Sequence, residues 1–566
     1  MTGGRTVPGL LRRRAADTPG AVALCHPDGS SLTFAGWDRA ADALAAELVA
    51  DGLRVGQRVA LLFDEREWFG YAIAFCGVLR AGGVAVPLST RLSPRQLVDR
   101  VTATGAVGTI REGGTVPTGL GGWQRGLARP GGGATPDRST PDDAAQVIFT
   151  SGTEGSAKAV VATHGNLTYG HDTAPGRRHL AHSRHFLHAF PLGTNAAQTM
   201  LLTGLAAAPA ALVVPRFDAA EVCAAVEEFR VGTLFLVPST ARELLASGEP
   251  HRRDLSSVVL VGTTGDILPA PVARALGAAM PNATVVNTYS STEAAPARTT
   301  MVFDSRRPHA VGRGAVRVTD DAGREVDPGE VGQVWIRSDA PPRRYLDGDD
   351  TATFRDGWTR TGDRGRLDDQ GYLHLVDRDS SIVHSGGTKI SSLAVEQALH
   401  EHADVLDCAV VGIPDPVLGE RAAAVLVTRA GTVPADLRGF LAGRLSTPEI
   451  PQRVVCVDAL PRNDGGKVVK RSLRDLFRPD GSAPAPAPQT PVERQLAGIW
   501  ATVLGVAAVG RDDDFLALGG NSMSVLRLAR LVSDQFAVAT PVSALFARPG
   551  LVEQAAWIAA RLSGPP

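Results

Sequence analysis

The sequence predicts a layered α/β fold, then a small α+β unit, then an all-helical terminal bundle. Three observations carry this expectation. Up to about residue 375, apolar strand-like runs alternate with Ala/Leu-rich helical stretches, the pattern of layered α/β architecture. A shorter block, about 380–477, mixes two strand-like runs with two helical ones. Beyond the tract "RPDGSAPAPAPQTP", the apolar residues take up helical spacing alone.

The elements follow in order. In the first block "RVALLF", "TLFLVP", "SVVLVG" and "ATVVNTYS" read as strands. "WDRAADALAAELVADGL" reads as a helix with an Ala/Leu face that stops at Gly52. In the second block "DCAVVGIP" and "AAAVLVT" are strands, and "SLAVEQALHEH" and "ADLRGFLAGRL" are helices. The Ala/Pro tract is a semi-rigid linker. The last block opens on a helix signal: Thr490 as N-cap, Pro491 in the first turn, and Glu493 completing a capping box. Val492, Leu496, Ile499 and Val503 then form one apolar stripe. A second helix begins near Ser522, with Val525, Leu528 and Val532 on one side, so a small helical bundle is expected.

Composition narrows the function classes. The 566 residues carry 44% hydrophobic and 21% charged side chains, ordinary globular values. With 58 basic against 59 acidic residues the net charge is -1, which argues against a nucleic-acid surface or a polybasic membrane anchor. The most apolar run, residues 201–215, is too short to span a membrane and contains Gly and Pro. Five cysteines lie far apart with no C-x-x-C pair, as expected of reduced core thiols. No apolar run follows "LLRRRAAD", so no signal peptide is expected and the predicted location is cytoplasmic.

Five segments carry chemistry. "FTSGTEGSAKAV" (149–160) gathers hydroxyls, glycines and Lys158 in a loop suited to phosphate, although Ala157 and Ala159 exclude a P-loop. "NTYSSTEAA" follows a strand and offers the ring of Tyr289 and the hard oxygens of Thr292 and Glu293, which suit Mg2+. "GWTRTGDRGRLDDQGYL" presents Asp363, whose carboxylate can hold ribose hydroxyls. "VDRDSSIVHSGGTKI" presents Arg378 and the pair Gly386 and Gly387, and "LPRNDGGKVVKRSL" presents Lys467 on a glycine turn. His164 and His188 read as structural.

In this order the five segments resemble the adenylate-forming superfamily: acyl-CoA synthetases, luciferases and the adenylation domains of nonribosomal peptide synthetases. The likeness runs from about residue 10 to 475, and "LTFAGWDRAADALAAELVADGLRVGQRVALL" and "GVLRAGGVAVPL" look like the family's opening motifs. It implies that the loop at 149–160 folds over the ATP triphosphate through Thr150, Ser151, Gly152, Thr153, Gly155 and Lys158. Glu154, Ala157 and Ala159 depart from the family pattern, and Glu154 is expected to point outward. Tyr289 would stack on adenine, Asp363 and Arg378 would hold ribose, and Thr292 and Glu293 would organise Mg2+ and phosphate. Lys467 would neutralise charge as a substrate carboxylate attacks the α-phosphorus. The smaller unit would then rotate, moving Lys467 out and the strand of Gly386 and Gly387 in for thioester formation; Ser380 stands where the hinge usually has Asp or Lys.

The tail "DDDFLALGGNSMSVLRL" resembles the carrier motif D-x-F-x-x-L-G-G-x-S, with Asp514, Phe515, Leu518, Gly519 and Gly520 leading to Ser522 as the attachment point for 4′-phosphopantetheine; Met523 replaces the usual Leu. The resulting plan is a large N-terminal adenylation subdomain (1–378), a small mobile α+β subdomain (379–477), a linker (478–490) and a four-helix carrier (491–566).

The implied partners are a small-molecule carboxylic acid, a phosphopantetheinyl transferase and a downstream synthetase or acyl-transfer enzyme. The stretch 185–217 contains no acid to pair with a substrate ammonium, so an aryl or short acyl acid is expected, with Asp266 leaving β-amino and imino acids open. Thr194, Asn195, Gly262, Thr264, Thr288 and Pro296 are the pocket candidates. Two alternatives stay open: a ligase that releases a CoA thioester, and a scaffold protein whose adenylation site has decayed.

Overall fold

The computed structural model describes residues 5–112, 120–127, 137–150, 157–307, 309–348, 351–378, 381–385, 388–415, 418–463, 466–477, 488–504, 509–511, 513–515, 518 and 522–562. Two large sheets form the main body. One has the strand order Arg344–Tyr345, Ala159–Thr163, Ala144–Phe149, Val84–Ser89, Arg58–Phe63, Gly108–Ile110, Trp123–Arg125. The other runs Thr299–Val302, Thr284–Tyr289, Leu260–Thr264, Thr233–Leu236, His185–His188, Ala210–Val213, Val22–Cys25, Ser31–Thr33. Both are parallel through the middle, where apolar runs are buried on both faces, and antiparallel only towards an edge.

One continuous core ties the sheets to the helices Val7–Asp17, Phe34–Ala50, Trp68–Arg80 and Asn195–Ala206, joining Leu24 and Phe186 of one sheet to Val59, Leu61 and Ala145 of the other. Trp68–Arg80 is apolar almost all round because it lies wholly inside. Its one charge, Arg80, is fully buried and meets Asp38 at 2.5 Å and Asp42 at 2.6 Å on the neighbouring helix. That helix begins where Thr33 caps Gly36 and ends at Gly52, which takes the left-handed conformation (φ +87°) that glycine adopts freely.

The helix–strand alternation expected to about residue 375 stops earlier. Among the described residues no α-helix lies between Ala279 and Ser392; most of the interval forms an antiparallel sheet in the order Ala310–Gly312, Leu373–Arg378, Trp358–Leu367, Gly332–Arg337, Val316–Thr319. Its neighbouring strands pair antiparallel, and antiparallel neighbours need no crossover helix; the turn closing Asp368 to Tyr372 is one such direct connection. A separate sheet follows, built on the long hairpin of Val405–Asp415 and Gly419–Thr428 and covered by the helix Ser392–His400.

The terminal unit is helical: Pro491–Leu504, Ser522–Phe536, Val542–Phe546 and Leu551–Leu562. The capping box is present, with Glu493 N–H donating to Thr490 Oγ1 at 3.0 Å and Thr490 N–H to Glu493 Oε2 at 3.4 Å. Leu496, Ile499, Trp500, Val525, Leu528 and Val532 meet in its core, whereas Val492 and Val503 are only partly buried, because Trp500 and Leu504 take the inner positions.

His164 and His188 are core residues. His164 Nδ1 accepts from Val7 N–H at 3.3 Å. His188 lies between Phe186 and Phe190 and edge-on to Trp68, with neither ring nitrogen hydrogen-bonded. Burial lowers His164 to about 4 and His188 to about 3, from an ordinary value of 6.5. Between these values the unfolded chain binds more protons than the folded one. Their contribution is therefore fully present above about pH 6.5 and is lost as pH falls towards the folded values. Melting temperatures measured from pH 7 to pH 4 are expected to fall less for His188→Phe than for the wild type; parallel curves contradict this.

Candidate functional site

The cleft opens beyond the carboxyl ends of the parallel strands Thr233–Leu236, Leu260–Thr264 and Thr284–Tyr289, where open α/β sheets present their loops. It has a volume of ≈ 1890 Å³. Six of its lining residues are the expected pocket set: Thr194, Asn195, Gly262, Thr264, Thr288 and Pro296. Thr150, Thr292 and Lys467 also line it, whereas Lys158, Tyr289, Glu293, Asp363 and Arg378 are not among its lining residues.

Strand register explains how two distant motifs meet. Asp363 on Trp358–Leu367 lies directly opposite Arg378 on Leu373–Arg378. Its Oδ1 is 2.8 Å from Arg378 Nε, and its Oδ2 accepts from the Tyr289 hydroxyl at 2.6 Å. Asp363 is buried, and its charge together with burial holds the Tyr289 phenol well above its usual pKa.

At the base of the phosphate-type loop, Thr150 N–H donates to the Lys158 carbonyl at 2.9 Å. Lys158 Nζ stands 4.8 Å over the ring of Tyr345, whose strand pairs with Ala159–Thr163. Tyr345 in turn donates a long 3.4 Å hydrogen bond to Glu293 Oε1. Ser151, Gly152, Thr153, Glu154 and Gly155 lie outside the described residues, as do Ser380, Gly386, Gly387, Gly519, Gly520 and the side chain of Ser522. The backbone of Ser522 starts its helix, as expected.

Lys467 is presented by a self-bonded turn. Its N–H donates to Asn463 Oδ1 at 3.0 Å, its carbonyl accepts from Asn463 N–H at 2.9 Å, and Gly466 carries φ +78°. The ammonium sits among charges of both signs. Its pKa is lowered first by Arg378 and then by burial, against the opposing pull of Asp266, Asp363 and Glu293.

Two residues escaped the sequence reading. Arg343 is 6% exposed, and its guanidinium joins three segments: Nε to Asn166 Oδ1 at 3.0 Å, Nη1 to Asn195 Oδ1 at 2.8 Å and to the Thr292 carbonyl at 2.8 Å. Burial lowers it to about 10, with Glu293 pulling the other way. This contact engages the Asn195 side-chain oxygen, so the group Asn195 could offer a ligand is its NH2 donor. Phe235 lies over Gly262, where a Cβ would come within 2.7 Å of its ring; no motif marks it, and only the parallel register of the two strands brings the pair together.

Glu293 and Thr292 suit Mg2+ in kind: Glu293 has hard oxygens and, among the described residues, a long 3.4 Å hydrogen bond from Tyr345. Among the described residues no three His, Cys, Asp or Glu side chains converge as a metal cage, so an ion held here would complete its shell with phosphate and water, as Mg2+ does.

The family model for the AMP-binding enzyme matches residues 11–346. The chain belongs to the AMP-binding enzymes. The model of that family's C-terminal domain follows at 394–467, and the phosphopantetheine attachment site at 494–558. A feruloyl-CoA synthase of Amycolatopsis is 33% identical, covering 82% of this chain and 98% of that protein. Phosphinothricin tripeptide synthetase PhsC of Streptomyces viridochromogenes is 31% identical across 97% of this chain and 52% of its own length. Among solved structures, ATP-bound MatB from Rhodopseudomonas palustris superposes with a TM-score of 0.74 at 27% identity, covering 83% of this chain and 99% of that one. This AMP-binding enzyme is thus an ATP-dependent acid–thiol ligase with a fused phosphopantetheine attachment domain.

Arg343 binds three neutral oxygens from three separate segments. Arg343→Met is expected to lower the unfolding free energy of this AMP-binding enzyme by about 3 kcal/mol in urea titration, the scale of lost charged hydrogen bonds. A loss under about 0.5 kcal/mol, the size of an ordinary surface change, contradicts the assignment.

Proposed function

We propose that the chain activates a carboxylic acid lacking an α-ammonium and loads it onto its own carrier domain, as one step of natural-product assembly. The observation that carries this is the carrier itself: a phosphopantetheine attachment match in the same chain, with Ser522 opening a helix. The alignment of a tripeptide synthetase over 97% of the chain supports the assembly role. In this reading the joins fall at 378/379, 477/478 and 490/491, and a linked acceptor stands at roughly millimolar effective concentration.

The roles follow from position. Asp363, fixed by Arg378 and Tyr289, holds ribose, and the Tyr289 ring meets adenine. Thr150 and Lys158, with Ser151, Gly152, Thr153 and Gly155, hold the phosphates. Thr292 and Glu293 hold Mg2+, which supplies charge neutralisation at the phosphates. The acid's carboxylate oxygen attacks the α-phosphorus, the bond to pyrophosphate breaks, and Lys467 meets the charge that develops. An arm on Ser522 supplies the thiol that accepts the acyl group, with Gly386 and Gly387 serving the second pose. A phosphopantetheinyl transferase must add that arm, and an acyl-accepting enzyme must take the product. We place the protein in the cytoplasm; Cys25, Cys76, Cys223 and Cys408 are free and buried, and no described helix is long and apolar enough to cross a membrane.

The acid class rests on charge. The acids among the described lining residues are Glu243, Glu401, Asp407 and Asp458, and the stretch 185–217 contributes none. Asp266 is exposed, accepts from Ile267 N–H and lies within electrostatic reach of Lys467 and Arg378, so it does not offer itself to a substrate amine. An ammonium held against the stretch 185–217 would find no acid of that stretch to pair it. Pyrophosphate exchange is expected to rank benzoate-type or short acyl acids above every proteinogenic α-amino acid; a clear α-amino acid preference overturns the class.

Ser522→Ala is expected to keep acid-dependent exchange and to lose all covalent loading by intact mass after transferase treatment. Loading that survives the substitution, or wild-type release of a CoA thioester as the main product, decides against self-loading.

A further inference from the structure

We propose that Arg242 is a positioning residue for Lys467: through Asp407 and Arg462 it pins the lysine turn in the pose that forms the adenylate. The inference rests on the role given to Lys467 above. Arg242 lies on the helix Pro238–Ala246 of the large body, and Asp407 on the strand Val405–Asp415 of the small unit. Arg242 Nη2 is 3.0 Å from Asp407 Oδ1, and Asp407 Oδ2 also pairs with Arg462. Arg462 Nη1 then donates to the carbonyl of Gly466 at 2.7 Å, one residue before Lys467.

A second contact leads to the same helix. A Cβ built on Gly466 would stand 3.1 Å from Ser239 Oγ and 3.3 Å from Val237 Cγ2, so the turn rests on the start of Pro238–Ala246. The lysine turn therefore touches this helix directly at its first turn and indirectly through Arg242.

The side chains of Arg242 and Asp407 are 16% and 17% exposed, so the pair is screened less than a surface bridge. His400 faces the same cluster and stays neutral, its pKa lowered to about 4 by burial and by Arg242. It adds no charge there, and Arg242 bridges the two units by an ion pair; Glu243, on the same helix, also feels the charge of Arg462. The Arg462–Asp407 pair lies within the small unit and moves with it, whereas the Arg242–Asp407 pair must break whenever that unit rotates. Losing Arg242 thus leaves the turn intact and held to the helix only by its contact at Gly466, and its effect belongs to one half-reaction.

The test compares Arg242→Gln and Arg242→Lys in the full-length holoprotein. Arg242→Gln is expected to lower the kcat of pyrophosphate exchange by ~10- to 100-fold, the size of a lost charged hydrogen bond, with the KM for acid and ATP little changed. Arg242→Lys should recover most of that rate. Transfer from supplied acyl-adenylate to the carrier should run at the wild-type rate or faster. Equal loss in both half-reactions overturns the latch, and so does a loss confined to the KM for the acid, which would make Arg242 a substrate contact. Lys467→Ala is run beside them. Normal exchange by Arg242→Gln next to an inactive Lys467→Ala sinks the latch alone; normal exchange by both shows that the role of Lys467 has failed and the latch with it.

Discussion

Bringing a carboxylate against a triphosphate sets like charges together, and the cleft is organised around meeting that repulsion. Its central feature is itself a like-charge influence: the Arg378 guanidinium is the first cause lowering the pKa of Lys467. Two cations side by side disfavour folding unless anions offset them. Here Asp363 neutralises Arg378, while Asp266, Asp363 and Glu293 oppose the effect on Lys467. Three carboxylates thus offset the two cations, which lets both stand in one cleft of the folded protein.

The scaffold makes this balance possible without a flexible search. Asp363 faces Arg378 because two antiparallel strands hold them in register, and Tyr289 reaches Asp363 from the end of a parallel strand in another sheet. Arg343 performs a similar service on the acid side. One buried guanidinium fixes the carbonyl of Thr292, the amide of Asn195 and that of Asn166, so the start of the helix Asn195–Ala206 and the segment carrying Glu293 share one anchor. Preorganised polar groups of this kind need not reorganise as charge moves, and electrostatic catalysis depends on that.

Much of this was legible in the sequence because the signals were local. The Thr490/Glu493 box, the stripe through Leu496 and Ile499, and the strand that ends at Tyr289 each declare themselves within a few residues. The lysine turn and the pocket set also came from short motifs. What stayed hidden depends on partners far apart in the chain. Arg343 sits in "PPRRYLDG", which carries no periodicity, and its three partners come from residues 166, 195 and 292. Phe235 closes over Gly262 only through strand register. The extent of the α/β alternation was overread because strands continue after Tyr289; what separates the two regions is the absence of α-helices among the described residues between Ala279 and Ser392.

The central claim is that Lys467 acts in forming the adenylate and not in consuming it. The most direct measurement is the rate of each half-reaction in Lys467→Ala. The account predicts that acid-dependent pyrophosphate exchange falls by about 100-fold or more, the scale of removing a key electrostatic group, while chemically supplied acyl-adenylate still loads the carrier at the wild-type rate. Loss of both half-reactions to the same degree would contradict it.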